Sequence, residues 1–439
     1  MAPMTERHVG RDRQRLTASV TDLAVGRQRA LVVALADDRR TVAEVEASLD
    51  EIERLTDTAG SDVVERAVQR RARPDPATYI GKGKAEELAS IGRALDIDLV
   101  VVEGELSPVQ QRNLQEIFKT DVVDRVALIL DIFAQHATSG PGRAQVELAM
   151  LHYRLPRLRG KGIELSRLGG GIGTRGPGET KLESDRRRVL KRISQLEEEL
   201  ESLATIRHTQ RKARRRSEIP AAALVGYTNA GKSSLLNRLT GAAVLVEDRL
   251  FSTLDATVRR LALPAGREAL ISDTVGFVRD LPHTLVEAFQ STLEEAVDTD
   301  LLLHVVDASA DDPERQLTSV RITLQEIGAH ELPELLVINK ADVASPVVVE
   351  RLLALHPGSV AVSATTGLGI DALLEGIETR LAPRWIDLDI TIPFERGDLV
   401  SLLHRVGEII SEEHRPDGTR LKARVPARHA AAFHALGSG

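Results

Sequence analysis

Apolar positions along the chain alternate between two signatures. Ala30–Ala36 is an unbroken apolar run of the kind a buried strand carries, and Val42 to Leu55 places its apolar residues at helical spacing. A strand over 62–70 and a Pro-Asp-Pro break at 74–76 follow, then a helix over about 83–95 and the strand DLVVVE at 98–103. The next helix opens at Ser107-Pro108, with Ser107 as N-cap and Pro108 in the first helical position. Strands alternating with helices predict a small α/β unit with a mostly parallel sheet. Residues 125–155 read as helix interrupted at Ser139-Gly140-Pro141-Gly142, and a long helix runs from Lys181 to Arg216. Its apolar residues Val189, Ile193, Leu196, Leu200 and Leu203 are spaced four and three apart, the seam of a coiled coil. The expected partner is the 143–155 helix, packed antiparallel, with the glycine-rich stretch between them at the tip of the hairpin. From Ala221 to about Leu381 the pattern becomes strand–loop–helix. A tail follows with a strand at 386–392, a helix at about 396–405, strands near 407–413 and 419–425, and a last helix.

These patterns divide the 439 residues into five segments. Residues 1–28 form a polar, arginine-rich tail expected to be disordered, and 29–137 an N-terminal α/β subdomain. Residues 138–217 form the helical hairpin, 218–382 a nucleotide-binding domain with a parallel-sheet core, and 383–439 a small α+β domain.

Composition narrows the chemistry. The chain has no cysteine, which excludes a disulfide scaffold, a thiol nucleophile and thiolate metal sites. No 18-residue apolar run and no apolar segment near the start are present, so neither a membrane span nor a secretory signal is expected. The reading is a cytoplasmic monomer, with peripheral membrane attachment as a further option. The charge is uneven: Arg143 to Arg216 carries 19 basic against 9 acidic residues, +10 in a chain whose total is −7. Such a block is the footprint of a polyanion-binding surface or, equally, a solvated helix face.

The sharpest motif is Gly226-Tyr227-Thr228-Asn229-Ala230-Gly231-Lys232-Ser233, set between an apolar strand and an apolar-periodic helix. That is the P-loop pattern in its strand–loop–helix setting. Backbone N–H groups and the helix N-terminus would cradle phosphates, Lys232 would reach the β- and γ-phosphates, and Ser233 would ligate Mg²⁺. Asp273-Thr274-Val275-Gly276 follows the strand EALIS, putting a carboxylate near the metal and a glycine N–H near the γ-phosphate. Asn339-Lys340-Ala341-Asp342 follows the strand ELLVI and resembles the N-K-x-D element of GTPases. There the aspartate accepts hydrogen bonds from guanine N1–H and N2–H₂, donors that adenine lacks. Ser363-Ala364-Thr365 resembles the element that backs the base. In Phe251-Ser252-Thr253-Leu254-Asp255 the threonine before the leucine, Thr253, is the expected second Mg²⁺ ligand, by resemblance to Obg-type GTPases. Lys232, Thr253, Asp273 and Gly276 are the expected catalytic set. Phe277 stands where Ras-like GTPases carry a water-positioning glutamine, so hydrolysis should be slow without an activator. Asn229 stands where TrmE-like GTPases place a potassium-coordinating asparagine, and a loop cap is an equally good reading of that one residue.

Residues 166–200, from SRLGGGIGTRGPGETKLES through RISQLEEEL, resemble the hallmark of the HflX family of ribosome-associated GTPases. Tyr79-Ile80-Gly81-Lys82-Gly83-Lys84, the helix QVELAML (145–151) and the run 273–295 resemble it too. Only SGPGRAQVELA at 139–149 departs, being less charged than the family pattern. The resemblance implies binding of GTP and GDP, docking on the 50S subunit through 23S rRNA, and dissociation of 70S ribosomes. Arg167, Gly169, Gly170, Gly171 and Arg175 would make the ribosome contact, glycines letting backbone approach RNA and arginines neutralising phosphates. A GTP-driven RNA-processing or tRNA-modifying enzyme is the alternative, but the chain offers no second catalytic constellation for it.

Overall fold

The structure is a computed structural model that describes residues 26–38, 40–158, 177–216, 219–241, 250–251, 257–278, 297, 299–382, 385–426 and 432–433. Two compact units divide the chain, Met1–Ile132 and Phe133–Gly439.

The first unit is built from β1 (Gln28–Ala36), α1 (Val42–Thr58), β2 (Ser61–Arg70), α2 (Lys82–Ala94), β3 (Leu99–Val102), α3 (Pro108–Phe118) and β4 (Asp121–Asp124). The strands form one all-parallel sheet in the order β2-β1-β3-β4. β1 reads as a continuous apolar run because it is paired on both edges and buried from Ala30 to Ala36. Thr41 with Glu44 and Ser107 with Gln110 form capping boxes that start α1 and α3. Arg125 opens α4 (Arg125–His136) and reaches Glu51 of α1 at 3.0 Å, an ion pair in which both side chains are buried.

The second unit begins with α5 (Gly140–Arg154), which packs on α6 (Pro177–Arg216). Ile193 and Leu196 of the predicted seam are buried, and Arg192 forms a two-pronged ion pair with Glu147, each contact at 2.7 Å. A second pair, His152–Glu197 at 3.8 Å, also joins residues 45 positions apart, as Glu147 and Arg192 are. The glycine-rich stretch, with Arg167, Gly169, Gly170, Gly171 and Arg175, lies outside the described residues.

A six-stranded sheet follows, made of β5 (Ala221–Gly226), β6 (Val258–Ala262), β7 (Glu268–Asp273), β8 (Leu301–Asp307), β9 (Glu334–Asn339) and β10 (Val360–Ala361). The order is β10-β9-β8-β5-β7-β6, parallel except for the edge strand β6. Alternate residues serve opposite faces. Leu224, Leu303, Val305 and Val337 pack under α7 (Lys232–Thr240) and α10 (Ile370–Leu381), while Ala223, Val225 and Leu302 pack under α8 (Pro313–Glu326). Helix α9 (Pro346–Leu355) covers β9 and β10. The tail is the predicted small domain: β11 (Trp385–Ile392), α11 (Gly397–Val406), β12 (Glu408–Arg415) and β13 (Gly418–Pro426) form an antiparallel sheet β11-β13-β12 with α11 against it.

One polar side chain lies deep in the central sheet. His304 on β8 is fully buried, and its Nδ1 lies 2.6 Å from Glu334 Oε1, which also meets Arg321. Burial lowers the His304 pKa, opposed by Glu334 and assisted by Arg321 and Lys232, so the ring is neutral and donates Nδ1–H to the carboxylate. Its Nε2 is buried without a hydrogen-bond partner among the described residues, a position that tolerates a lone pair better than a charge. The unfolded chain therefore takes up a proton near pH 6.5 that the native state refuses, and stability falls as pH drops below that value. Chemical denaturation at pH 7.5 and 5.5 should show a loss that is smaller in His304→Phe, by up to about 1.4 kcal/mol per pH unit. An equal loss in both proteins would acquit His304.

Candidate nucleotide site

All four predicted nucleotide elements leave the C-terminal ends of parallel strands: the P-loop after β5, Asp273–Gly276 at the end of β7, Asn339–Asp342 at the end of β9, and Ser363–Thr365 after β10. That edge is where open α/β sheets gather ligands, because helix N-termini and loops converge there.

The P-loop is shaped by close approaches. At Gly226, φ is +154° and a Cβ would strike the Val305 carbonyl of the neighbouring strand. At Gly231, φ is +89° and the space a Cβ would take is filled by the Asn339 side-chain amide. Asn229 adopts φ 59° with its side chain exposed, a left-handed conformation that asparagine tolerates. Helix α7 starts at once, so its N-terminal N–H groups face the loop.

Lys232 is buried, and its Nζ donates to the carbonyls of Gly226 at 3.0 Å and Tyr227 at 2.9 Å. Burial lowers its pKa to about 8, with Asp273 pulling the other way. A polyphosphate in the loop would meet that ammonium. Ser233 Oγ donates to Asp273 Oδ2 at 2.6 Å, bringing a hydroxyl and a carboxylate to the point where a phosphate-bound cation would sit. Both are hard oxygen donors of the kind Mg²⁺ takes, alongside waters and phosphate oxygens. Thr253, Ser252, Leu254 and Asp255 lie outside the described residues.

The Asp273 segment is fastened to the P-loop. Thr274 is fully buried and its hydroxyl donates to the Leu224 carbonyl at 2.7 Å, so this side chain anchors the loop to β5. Thr228 N–H donates to the Phe277 carbonyl at 2.7 Å and Phe277 N–H to the Gly226 carbonyl at 3.1 Å. At Gly276 a Cβ would lie 2.7 Å from Thr228 Cγ2 and 3.1 Å from Lys232 Nζ, so only glycine lets the segment approach the phosphate side of the loop. The Phe277 ring is buried with Val225, Leu302, Val320 and Leu324 on the α8 face of the sheet.

Asn339 is buried and uses both ends of its amide within the protein. Its Nδ2 donates to the Ala230 carbonyl at 2.8 Å and its Oδ1 accepts from Ala364 N–H at 3.1 Å. Lys340, at φ 61°, pairs with Asp307 at 2.6 Å, and Ala341 N–H donates to the Val362 carbonyl at 3.0 Å. Asp342 is exposed beyond this bracket. Ser363 is fully buried and its Oγ accepts from Thr366 N–H at 3.0 Å, which shapes the loop behind Ala364 and Thr365.

Four family profiles match consecutive stretches of the chain: "GTP-binding GTPase N-terminal" at 46–134, "GTP-binding GTPase Middle Region" at 136–214, "50S ribosome-binding GTPase" at 221–340 and "HflX C-terminal domain" at 349–439. The chain is 46% identical to GTPase HflX of Caldanaerobacter subterraneus over 92% of both chains. It is 41% identical to GTPase HflX of Escherichia coli, over 86% of this chain and 89% of that one. With GTPase HflX of Alkalihalophilus pseudofirmus it shares 52% identity over 68% of this chain and 71% of that one. The chain belongs to the HflX family of GTPases.

As an HflX-family GTPase the chain binds and hydrolyses GTP, and the phosphate, metal and base elements read from its sequence meet at one sheet edge. No helix among the described residues is long and apolar enough to cross a membrane. Two expectations shift in detail. Phe251, grouped with the nucleotide contacts, has its ring buried edge-on against Phe133 at 4.6 Å and 77°, so that face is spent on packing. Asn339, also grouped with the nucleotide contacts, bonds the protein's own backbone with both ends of its amide. Sequence reasoning missed Arg238, whose guanidinium spans from α7 to the Ala364 and Thr365 carbonyls. No spacing rule links it to partners 126 residues away.

The four-residue element therefore divides into a buried structural half and an exposed half. Asn339→Ala would leave a buried carbonyl and a buried N–H without partners, and should lower unfolding free energy by about 2–3 kcal/mol even without nucleotide. Asp342→Ala, at an exposed position, should stay within about 0.5 kcal/mol of wild type. Urea denaturation of the nucleotide-free proteins distinguishes them, and equal effects would contradict this division.

Proposed function

We propose that this chain is a GTP-gated factor of the large ribosomal subunit. It docks on the 50S particle in its GTP state, and in that state it separates 70S ribosomes into subunits. The observation that carries this reading is the burial of Phe277. The residue after Gly276 faces the core beneath the P-loop strand and cannot orient an attacking water, so GTP persists until a partner completes the site. Slow hydrolysis with activation on docking is the behaviour of a timed switch.

In this reading Lys232 binds the β- and γ-phosphates, Ser233 and Thr253 hold Mg²⁺, and Gly276 N–H senses the γ-phosphate. Asp342 accepts from guanine N1–H and N2–H₂, and Ala364 with Thr365 backs the ring. Asn229 either coordinates K⁺ or caps the loop, and replacing K⁺ with Na⁺ in a hydrolysis assay separates the two. The ribosome contact is the basic, glycine-rich stretch with Arg167, Gly169, Gly170, Gly171 and Arg175. The basic excess over Arg143–Arg216 supports an RNA partner. Only Tyr153 offers an aromatic ring in that segment, so phosphate and shape contacts outweigh base stacking. A description of the matched 221–340 profile as a 50S ribosome-binding GTPase supports the same partner. The site of action is the cytoplasm, where ribosomes and GTP are found together.

Two measurements test the proposal. Asp342→Asn should shift preference from GTP to xanthosine triphosphate by an order of magnitude or more, since it exchanges the acceptor for a donor. Unchanged GTP affinity would remove Asp342 as the base reader. Co-sedimentation with 50S particles should be strong with a non-hydrolysable GTP analogue and weak with GDP. In Arg167→Glu/Arg175→Glu it should weaken, with a shallower dependence on salt because fewer counterions are released. Binding that ignores both nucleotide and charge reversal would overturn the docking model.

A further inference from the structure

Arg238 lies on the last turn of α7, the helix that begins at the P-loop lysine. Its Nε donates to the Ala364 carbonyl at 2.9 Å, and one terminal nitrogen donates to the Thr365 carbonyl. These carbonyls belong to the loop that backs the base, 126 and 127 residues further along the chain. Ala364 is thus held from both sides, its N–H by Asn339 and its C=O by Arg238. Asn339 in turn grips the P-loop at Ala230, so P-loop, α7 and base-backing loop form a closed ring of contacts.

The chemistry suits a guanidinium in particular. Two donors in one rigid plane meet two successive carbonyls, a match that the single point charge of a lysine cannot reproduce. The carbonyls point from the loop towards α7, which fixes the orientation of their peptide units from that side. A loop freed at this point would keep its tether at Ala364 N–H but lose the fixed tilt of the Ala364–Thr365 peptide.

We propose that Arg238 is a positioning residue for guanine recognition, fixing the base-backing loop against the helix that carries the phosphate-binding lysine. The inference rests on the reading of Asp342 as the base acceptor and extends it: base selectivity is set in part from the phosphate side of the site. Arg238 touches no nucleotide itself. Its effect is transmitted through the Ala364 and Thr365 backbone.

The test compares GDP, inosine diphosphate and ADP as competitors of a fluorescent GDP analogue, on the full chain and on Arg238→Gln and Arg238→Lys. Thermal unfolding without nucleotide checks that each variant is folded. GDP affinity should fall about tenfold in Arg238→Gln, the scale of losing charge-assisted hydrogen bonds at a half-exposed site. The loss should be smaller for inosine diphosphate and smallest for ADP, so that the preference for guanine narrows. Arg238→Lys should recover only part of it. Asp342→Asn is measured in parallel. If it fails to change GDP affinity, the reading of the base acceptor itself fails. If it acts while folded Arg238→Gln keeps full GDP preference, or loses all three nucleotides equally, the positioning role of Arg238 is overturned and the base reading stands.

Discussion

The arrangement of this site depends on one buried amide. Asn339 sits at the end of β9 with hydrogen bonds to Ala230 in the P-loop and to Ala364 beyond β10. Leaving either partner unpaired in the interior would cost about 1–3 kcal/mol, so the three segments hold one geometry relative to each other. Local backbone choices follow from that bracket. Gly231 has no Cβ because the amide occupies the place where one would be, and Lys340 turns left-handed immediately after the bracket to release Asp342 towards solvent. The four residues of this motif are thus one clamp, one ion-paired lysine, one backbone tie and one exposed carboxylate.

The sheet supplies the frame for the clamp. β5 lies between β7 and β8, so the P-loop leaves the middle of the sheet with the Asp273 loop on one side and the base elements on the other. Parallel strands all end at the same edge, and the short distance between their ends lets single side chains bridge loops remote in sequence. Ser233 to Asp273, Thr274 to Leu224 and Asn339 to Ala230 are such bridges, each joining segments 40 or more residues apart. The consequence is a phosphate site whose walls are held by the protein's own hydrogen bonds.

What was legible in the sequence follows the range of the forces involved. Helices with caps, such as those opening at Thr41 and Ser107, are decided by residues within one turn, and they fall where the pattern puts them. Unbroken apolar strands are equally plain, because burial on both faces leaves no polar position. β4 was not legible: its four residues, Asp121–Asp124, place two valines between carboxylates, and only pairing with β3 makes them a strand. Within the site, residue types at strand ends identified the chemistry, whereas the division of labour inside each motif emerged only with distances. Arg238 is the clearest case, an ordinary helix arginine until the Ala364 carbonyl is seen beside it.

The burial of Phe277 also limits how this active site can change. A glutamine introduced there would not acquire the chemistry of a water-positioning side chain, because the backbone bonds of Phe277 to Thr228 and Gly226 fix the direction in which residue 277 points. It would place an unpaired amide among Val225, Leu302 and Leu324, at a cost to stability and with no gain in rate. A water-positioning side chain at this place therefore lies more than one substitution away. Any route to it has first to release the segment from the strand it is fastened to, and every intermediate on that route is a weaker fold.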